Sequence, residues 1–314
     1  MNLKKISFLS IFSFFLMSCS SQSKDIEILN NQESQININK STKKIIAIGD
    51  IHGDLEAART ALKLGGLIDN SDNWIAKDVI LVQTGDQIDR GDNDKEIIDL
   101  FEKIESQAPK FNSIVYQLNG NHEIMNASGD MRYVTEKAYE SFNKLNIDTS
   151  NPLLKNIPDN KRKRYSAFLP TGLYAKKLAK RNTVLQIGDN IFVHGGLLPK
   201  HVEYGMDKIN SDVKDWLNNG KTPIPPESVK AEDSVVWTRI YADEPKESDC
   251  DTLDKALKSA SAKRLIVGHT VHPEGITSDC NGQVWRIDTG MSRAYTGRVE
   301  LIEINGDSVR ILKK

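Results

Sequence analysis

Three short stretches bring metal-binding residue types together: Gly49-Asp50-Ile51-His52-Gly53-Asp54, Gly85-Asp86-Gln87-Ile88-Asp89-Arg90-Gly91 and Gly120-Asn121-His122-Glu123. Alone, each is weak, because Asp and Gly after an apolar run are ordinary turn chemistry. Their joint occurrence in order changes the reading. Val193-His194-Gly195-Gly196 and Val267-Gly268-His269-Thr270 then repeat the arrangement of an apolar run followed by histidine. Carboxylate and amide oxygens mixed with imidazole nitrogens suit first-row transition metals such as Mn, Fe, Co, Ni or Zn. No cysteine belongs to the cluster, which argues against a structural zinc site of the thiolate kind. Two ions about 3.5–4 Å apart, bridged by a carboxylate and a hydroxide, supply a nucleophile near neutral pH and clamp phosphoryl oxygens. The chemistry expected is phosphoryl transfer to water.

Such loops need a frame to hold them. Apolar runs at 45–48, 79–82 and 114–118 have strand length, and amphipathic helical periodicity follows the first two at 55–64 and 94–107. Strands alternating with helices predict βαβ units and a mainly parallel sheet. Ligands gather at the carboxyl ends of strands in such sheets, and the polar motifs fall there three times in succession. Strands resume at 184–187 and 191–194. Shorter, hairpin-like ones follow at 265–267, 284–287, 299–304 and 309–312, with Asn305-Gly306-Asp307 as the turn between the last two. A second sheet packed on the first gives a layered α/β sandwich of two mixed sheets flanked by helices. Residues 131–181 read as a helical insert over the site. Its run Lys161-Arg162-Lys163-Arg164 reads as a solvated face, with recruitment of an anionic substrate as the lesser alternative.

From Lys44 onward the five motifs resemble the metallophosphoesterase superfamily of calcineurin-like enzymes. Unbroken Gly-Asp-x-x-Asp-Arg-Gly and Gly-Asn-His-Glu point to its branch of phosphoprotein phosphatases and diadenosine tetraphosphate hydrolases, and within it to the bacterial Shewanella-like phosphatases. The resemblance implies two metals, Mn, Fe or Zn. One is held by Asp50, His52 and the bridging Asp86, the other by Asp86, Asn121, His194 and His269. It implies His122 as general acid, Asp89 as the group orienting it, and Arg90 as a grip on the phosphate, with a salt bridge as that arginine's structural alternative. Val235-Val236-Trp237-Thr238-Arg239-Ile240-Tyr241 resembles a second arginine site, although Ile240 stands where the family has glycine. Glu123 is expected to orient its loop, Asp288-Thr289-Gly290 to form a supporting turn, and His201 and His272 to be surface or packing residues. Loops around Tyr241 and Tyr295 are expected to shape substrate choice.

The implied activity is hydrolysis of phosphomonoesters by metal-bridging hydroxide, on a phosphorylated protein, peptide or small ester. Hydrolysis of diadenosine polyphosphates or other nucleotides is the first alternative. A surface lipoprotein that binds without catalysis is an alternative of another class.

The chain has 314 residues, 39% hydrophobic and 27% charged, and a formal net charge of -1. That balance supplies no global basic field for nucleic acid, and a monomer is expected. Residues 1–19 join two lysines, a short apolar stretch and Leu16-Met17-Ser18-Cys19, the pattern of a signal peptide with a lipobox. Acylation at Cys19 would anchor an exported protein at the bacterial cell envelope. Residues 20–43, rich in Ser, Asn, Gln and Lys, read as a flexible tether to a domain at 44–314. Cys250 and Cys280 then remain as an even pair, either bridged or free.

Overall fold

Burial on both faces explains why the first three strands read as unbroken apolar runs. In the computed structural model, which describes residues 43–314, β1 (Lys44–Ile48), β2 (Val79–Gln83) and β3 (Ile114–Gln117) pair in parallel. Helices α1 (Leu55–Leu64) and α2 (Asp94–Gln107) form the connections. Ile46, Ile48 and Leu81 pack with Ala58, Leu62, Ile97 and Phe101 of these helices. The alternate residues Ile45, Ala47, Ile80 and Val82 are buried as well, as a layered sandwich requires. Asp54 caps α1 by accepting the Ala57 amide at 3.1 Å.

The second sheet has the order β4-β5-β6-β8-β7. Its strands are β4 (Val184–Ile187), β5 (Asn190–Val193), β6 (Arg264–Val267), β7 (Thr277–Asp279) and β8 (Val284–Arg286). Two expectations need correction. Its central strands β5, β6 and β8 run parallel rather than as hairpins. The last hairpin, β9 (Glu300–Asn305) and β10 (Ser308–Lys313), returns to the first sheet and pairs antiparallel with β1. Its apolar Leu301, Ile302 and Ile304 find their burial there. Strand β7, polar and three residues long, carries no apolar signal.

Helices α3 (Asn121–Ala127), α4 (Glu136–Asn143), α5 (Asp159–Phe168) and α6 (Leu173–Leu178) separate the two sheets in sequence, the last three within 131–181. Helices α7 (Pro199–Tyr204), α8 (Met206–Asn219), α9 (Glu227–Lys230) and α10 (Glu247–Ser259) lie between β5 and β6. Cys250 of α10 and Cys280, between β7 and β8, form a disulfide. The proposed signal peptide, Cys19 and the tether apart from Lys43 lie outside the described residues.

Candidate metal centre and active site

Every motif loop leaves the carboxyl end of a strand, and the loops are stitched to one another by backbone. The Ile51 and His52 amides both donate to the Asp86 carbonyl at 3.0 Å, and the Gly53 amide donates to the Gln87 carbonyl at 2.9 Å. Glu123 gathers three amides on its carboxylate, those of Asp86, Gln87 and Gly120, at 2.8, 2.9 and 2.8 Å. It therefore orients its loop, as its place in the motif suggests. His52, Asp86, Asp89, Arg90 and His269 all take left-handed backbone conformations, with φ between 48° and 71°. Each costs on the order of 1–3 kcal/mol and persists only where the surroundings over-determine it; these shared hydrogen bonds do that.

The Asp86 carboxylate is the focus. Its Oδ2 lies 3.2 Å from His194 Nε2, 3.7 Å from His52 Nε2 and 3.8 Å from His122 Nε2. Asp50 Oδ2 lies 3.7 Å from His52 Nε2, and Asn121 Oδ1 lies 2.8 Å from His194 Nε2. Two groups have ligand atoms within 4.8 Å of one another: His52, Asp86 and His122, and Asp86, His194 and His269. The structure thus brings together Asp50, His52, Asp86, Asn121, His194 and His269, all buried.

The donor chemistry fits metal ions. His52 Nδ1 faces the Ile88 carbonyl at 3.2 Å, His194 Nδ1 the Thr84 carbonyl at 3.0 Å and His269 Nε2 the Trp237 carbonyl at 3.1 Å. A carbonyl only accepts, so each of these nitrogens carries the proton and the other keeps its lone pair for a metal. Burial lowers His52 to about 4 and His269 to about 2, so both are neutral ligands at physiological pH. Burial, with Asp288 and Asp86 nearby, pushes the Asp50 carboxyl well up. Crowded buried carboxylates of this kind call for a cation.

His122 differs from the other three. Its Nδ1 faces a carboxylate, Asp89 Oδ2, at 2.7 Å. Burial opposes its protonation, but Asp86 and Asp89 outweigh burial and lift it to about 9. Its Nε2 lies 3.8 Å from Asp86 Oδ2, so a proton held there faces the centre, and the same nitrogen falls within the first candidate metal group. Burial likewise works to raise Asp86, yet His194, His122 and His52 hold it well below the usual carboxylate range.

The arginines lie at the rim. Arg90 is exposed, its guanidinium 3.6 Å from the centre of the Tyr133 ring and 5.9 Å from that of Tyr295. Arg239 is also exposed, and its Nη1 donates to the His269 carbonyl at 3.0 Å and to Thr270 Oγ1 at 2.5 Å. Neither forms a salt bridge among the described residues.

A model of the calcineurin-like phosphoesterases matches residues 43–273. The chain belongs to that family. This phosphoesterase is 39% identical over 302 residues to Shewanella-like protein phosphatase 2 of Arabidopsis thaliana, covering 86% of this chain and 77% of the relative. It is 35% identical to Shewanella-like protein phosphatase 1 of Plasmodium berghei, covering 79% and 67%. Its fold matches a cold-active protein-tyrosine phosphatase of a psychrophilic Shewanella, with a TM-score of 0.67 over 86% of this chain and 80% of that one, at 23% identity. Its chemistry is metal-dependent hydrolysis of phosphoric monoesters.

Three site features escape sequence reading. Asp288 does form the expected turn, accepting the Gly290 amide at 2.8 Å. It is also buried among the metal-ligand carboxylates, and burial raises it to about 6. Tyr133 stacks on Arg90 from a segment with no motif. Arg164 is fully buried beside Asp89 and Asp94, which corrects the reading of 161–164 as a solvated face. Lys161, Arg162 and Lys163 remain part-exposed. Spacing offered a signal: Arg164 lies three and four residues before the buried Ala167 and Phe168 and shares their helix face. Tyr241, expected near the substrate, is instead a core residue whose hydroxyl donates to the Leu197 carbonyl at 3.0 Å.

Proposed function

We propose that this phosphoesterase is a phosphatase of proteins or phosphopeptides, exported and anchored by acylation at Cys19. The supporting observation is one carboxylate, Asp86, whose Oδ2 lies 3.2–3.8 Å from His194, His52 and His122, with Asp89 bonded to the last. Asp50, His52 and Asp86 would hold one metal, and Asp86, Asn121, His194 and His269 the other. When bound, such ions supply an activated water and neutralise phosphoryl charge.

The residues then divide the remaining work. Arg90 and Arg239 sit at the rim where a phosphate enters, and a planar fork of donors suits its non-bridging oxygens. Tyr133 holds Arg90 in place by stacking. His122 Nε2 delivers its proton to the leaving oxygen as the phosphorus–oxygen bond breaks, and Asp89 fixes the imidazole by its hydrogen bond at Nδ1. Positioning and charge carry the rate, with no phosphoenzyme.

Protein substrates accord with the names of the two relatives. Tyr133 and Tyr295 flank the rim, each beside a site histidine at 5.2 and 5.1 Å between ring centres. Those ring faces favour an aryl leaving group, so phosphotyrosine peptides should outpace phosphoserine peptides. Diadenosine tetraphosphate is expected to be a poor substrate. Among the described residues no helix is long and apolar enough to cross a membrane, and attachment is assigned to the acyl chain.

The test is metal analysis with turnover of p-nitrophenyl phosphate, phosphopeptides and diadenosine tetraphosphate, before and after chelation and re-addition of Mn, Fe or Zn. About two metals per chain, with activity lost to chelator and restored by one of the ions, is expected. A metal-loaded protein inactive on every phosphoester would establish a binding module instead. Incorporation of labelled fatty acid that disappears in Cys19→Ala tests the anchor.

A further inference from the structure

Behind the His122–Asp89 pair lies a buried polar network that the hydrolytic reading does not use. Arg164 of α5 has no exposure and lies among Phe142, Phe168 and Tyr139, its guanidinium carbon 5.1, 4.9 and 5.9 Å from their ring centres. Its Nη2 sits 2.7 Å from Asp94 Oδ2 and 3.3 Å from Asp89 Oδ1. The same guanidinium donates to Asn126 Oδ1 at 2.8 and 3.2 Å. Asn126 in turn donates to both Asp89 oxygens and to the His122 carbonyl, each at 3.0 Å. Asp94 Oδ1 accepts the Asp89 amide at 3.0 Å, at the left-handed turn before Arg90.

The two oxygens of Asp89 are thereby divided. Oδ2 faces His122 and Asn126, while Oδ1 faces Arg164 and Asn126. Without the arginine, two buried carboxylates, Asp89 and Asp94, would lose the cation they share, and the first could turn away from the imidazole. A lone buried charge is far more costly than an arginine shared between two acids. Only a planar fork with several donors can serve two carboxylates and an amide at once.

We propose that Arg164 is a positioning residue for proton transfer, by which α5 sets the orientation of Asp89 and, through it, of the His122 imidazole. This rests on His122 being the general acid. Its consequence is selective: a misplaced acid slows substrates whose leaving group needs a proton and spares those whose leaving group does not.

The experiment compares kcat and KM on p-nitrophenyl phosphate and on a phosphoserine peptide for the metal-loaded enzyme and for Arg164→Lys. Lysine keeps the buried charge, so the variant is expected to fold, where Arg164→Met would leave two acids unpaired. Unchanged metal content and KM are expected, with kcat on phosphoserine down roughly tenfold and p-nitrophenyl phosphate within about twofold. An unchanged ratio in folded, metal-loaded Arg164→Lys, or equal losses on both substrates, overturns the proposal. Turnover by the unmodified enzyme tests the phosphatase reading separately.

Discussion

Asp86 and His122 are neighbours in space with opposite tasks, and single substitutions separate them. Asp86→Asn removes the charge on which His52, His194 and His122 converge, so metal content and turnover should vanish together in elemental analysis and assay. His122→Asn should keep both metals and slow phosphoserine peptides by about 10²-fold or more, with far less effect on p-nitrophenyl phosphate. Retained metals in the first variant, or equal losses in the second, would contradict these roles. His122, His52 and His269 each contribute to the pH dependence of the metal-free protein. His122, raised to about 9, lends stability that is complete below its unfolded value of 6.5 and disappears as pH rises through 9. A shift of that size corresponds to on the order of 3 kcal/mol. His52 and His269, both lowered, act in the other direction, with stability falling as pH drops below 6.5. In urea titrations with chelator, His122→Asn should therefore flatten the fall in midpoint between about pH 6.5 and 9. A fall unchanged in that variant would remove His122 as its cause.

At the scale of elements, the site depends on how closely the loops after β2 and β3 approach. Gly85 has a φ of 98°, and a Cβ there would stand 2.5 Å from the Gly120 amide nitrogen. Gly85→Ala would add backbone strain and push the Asp86 loop from the Asn121 helix, at a cost of roughly 1–3 kcal/mol. A lower Tm and weaker metal affinity in calorimetric titration are expected. Wild-type affinity would show that the loops tolerate separation. Helix α5 illustrates the same dependence from the other side: Lys161 and Lys163 tie it to Glu136 and to the Asn143 and Leu145 carbonyls, while Arg164 on its inner face reaches the acid–base pair.

Across the whole molecule, the centre joins candidate ligands from both sheets. Asp50, His52, Asp86 and Asn121 follow strands of the first, and His194 and His269 follow strands of the second. Metal loading therefore also links the two layers. The disulfide clamps the second sheet independently, tying α10 to the β7–β8 turn across 30 residues. Replacing both cysteines with serine should lower stability by about 3.6 kcal/mol in denaturant titration, on the chain-entropy account of a loop of that length. Metal content should be unchanged, because neither cysteine belongs to the candidate metal groups. Loss of metals in that variant would show that the clamp also shapes the centre.

The sequence by itself determined the strands that carry the motifs, the order of the motifs and the residue types in them. Apolar runs of strand length ending in Gly-Asp, Gly-Asn or histidine are local patterns, and local patterns are legible without coordinates. The βαβ grammar also placed the loops at one end of a parallel sheet. Only the tertiary structure decided which sheet receives β9 and β10, that β7 exists, that Cys250 meets Cys280, that Tyr241 is core and that Arg164 turns inward. Each of these depends on contacts between residues far apart in sequence, 75 positions in the case of Arg164 and Asp89. A charge run looks the same in sequence whether or not a buried carboxylate waits opposite one of its members.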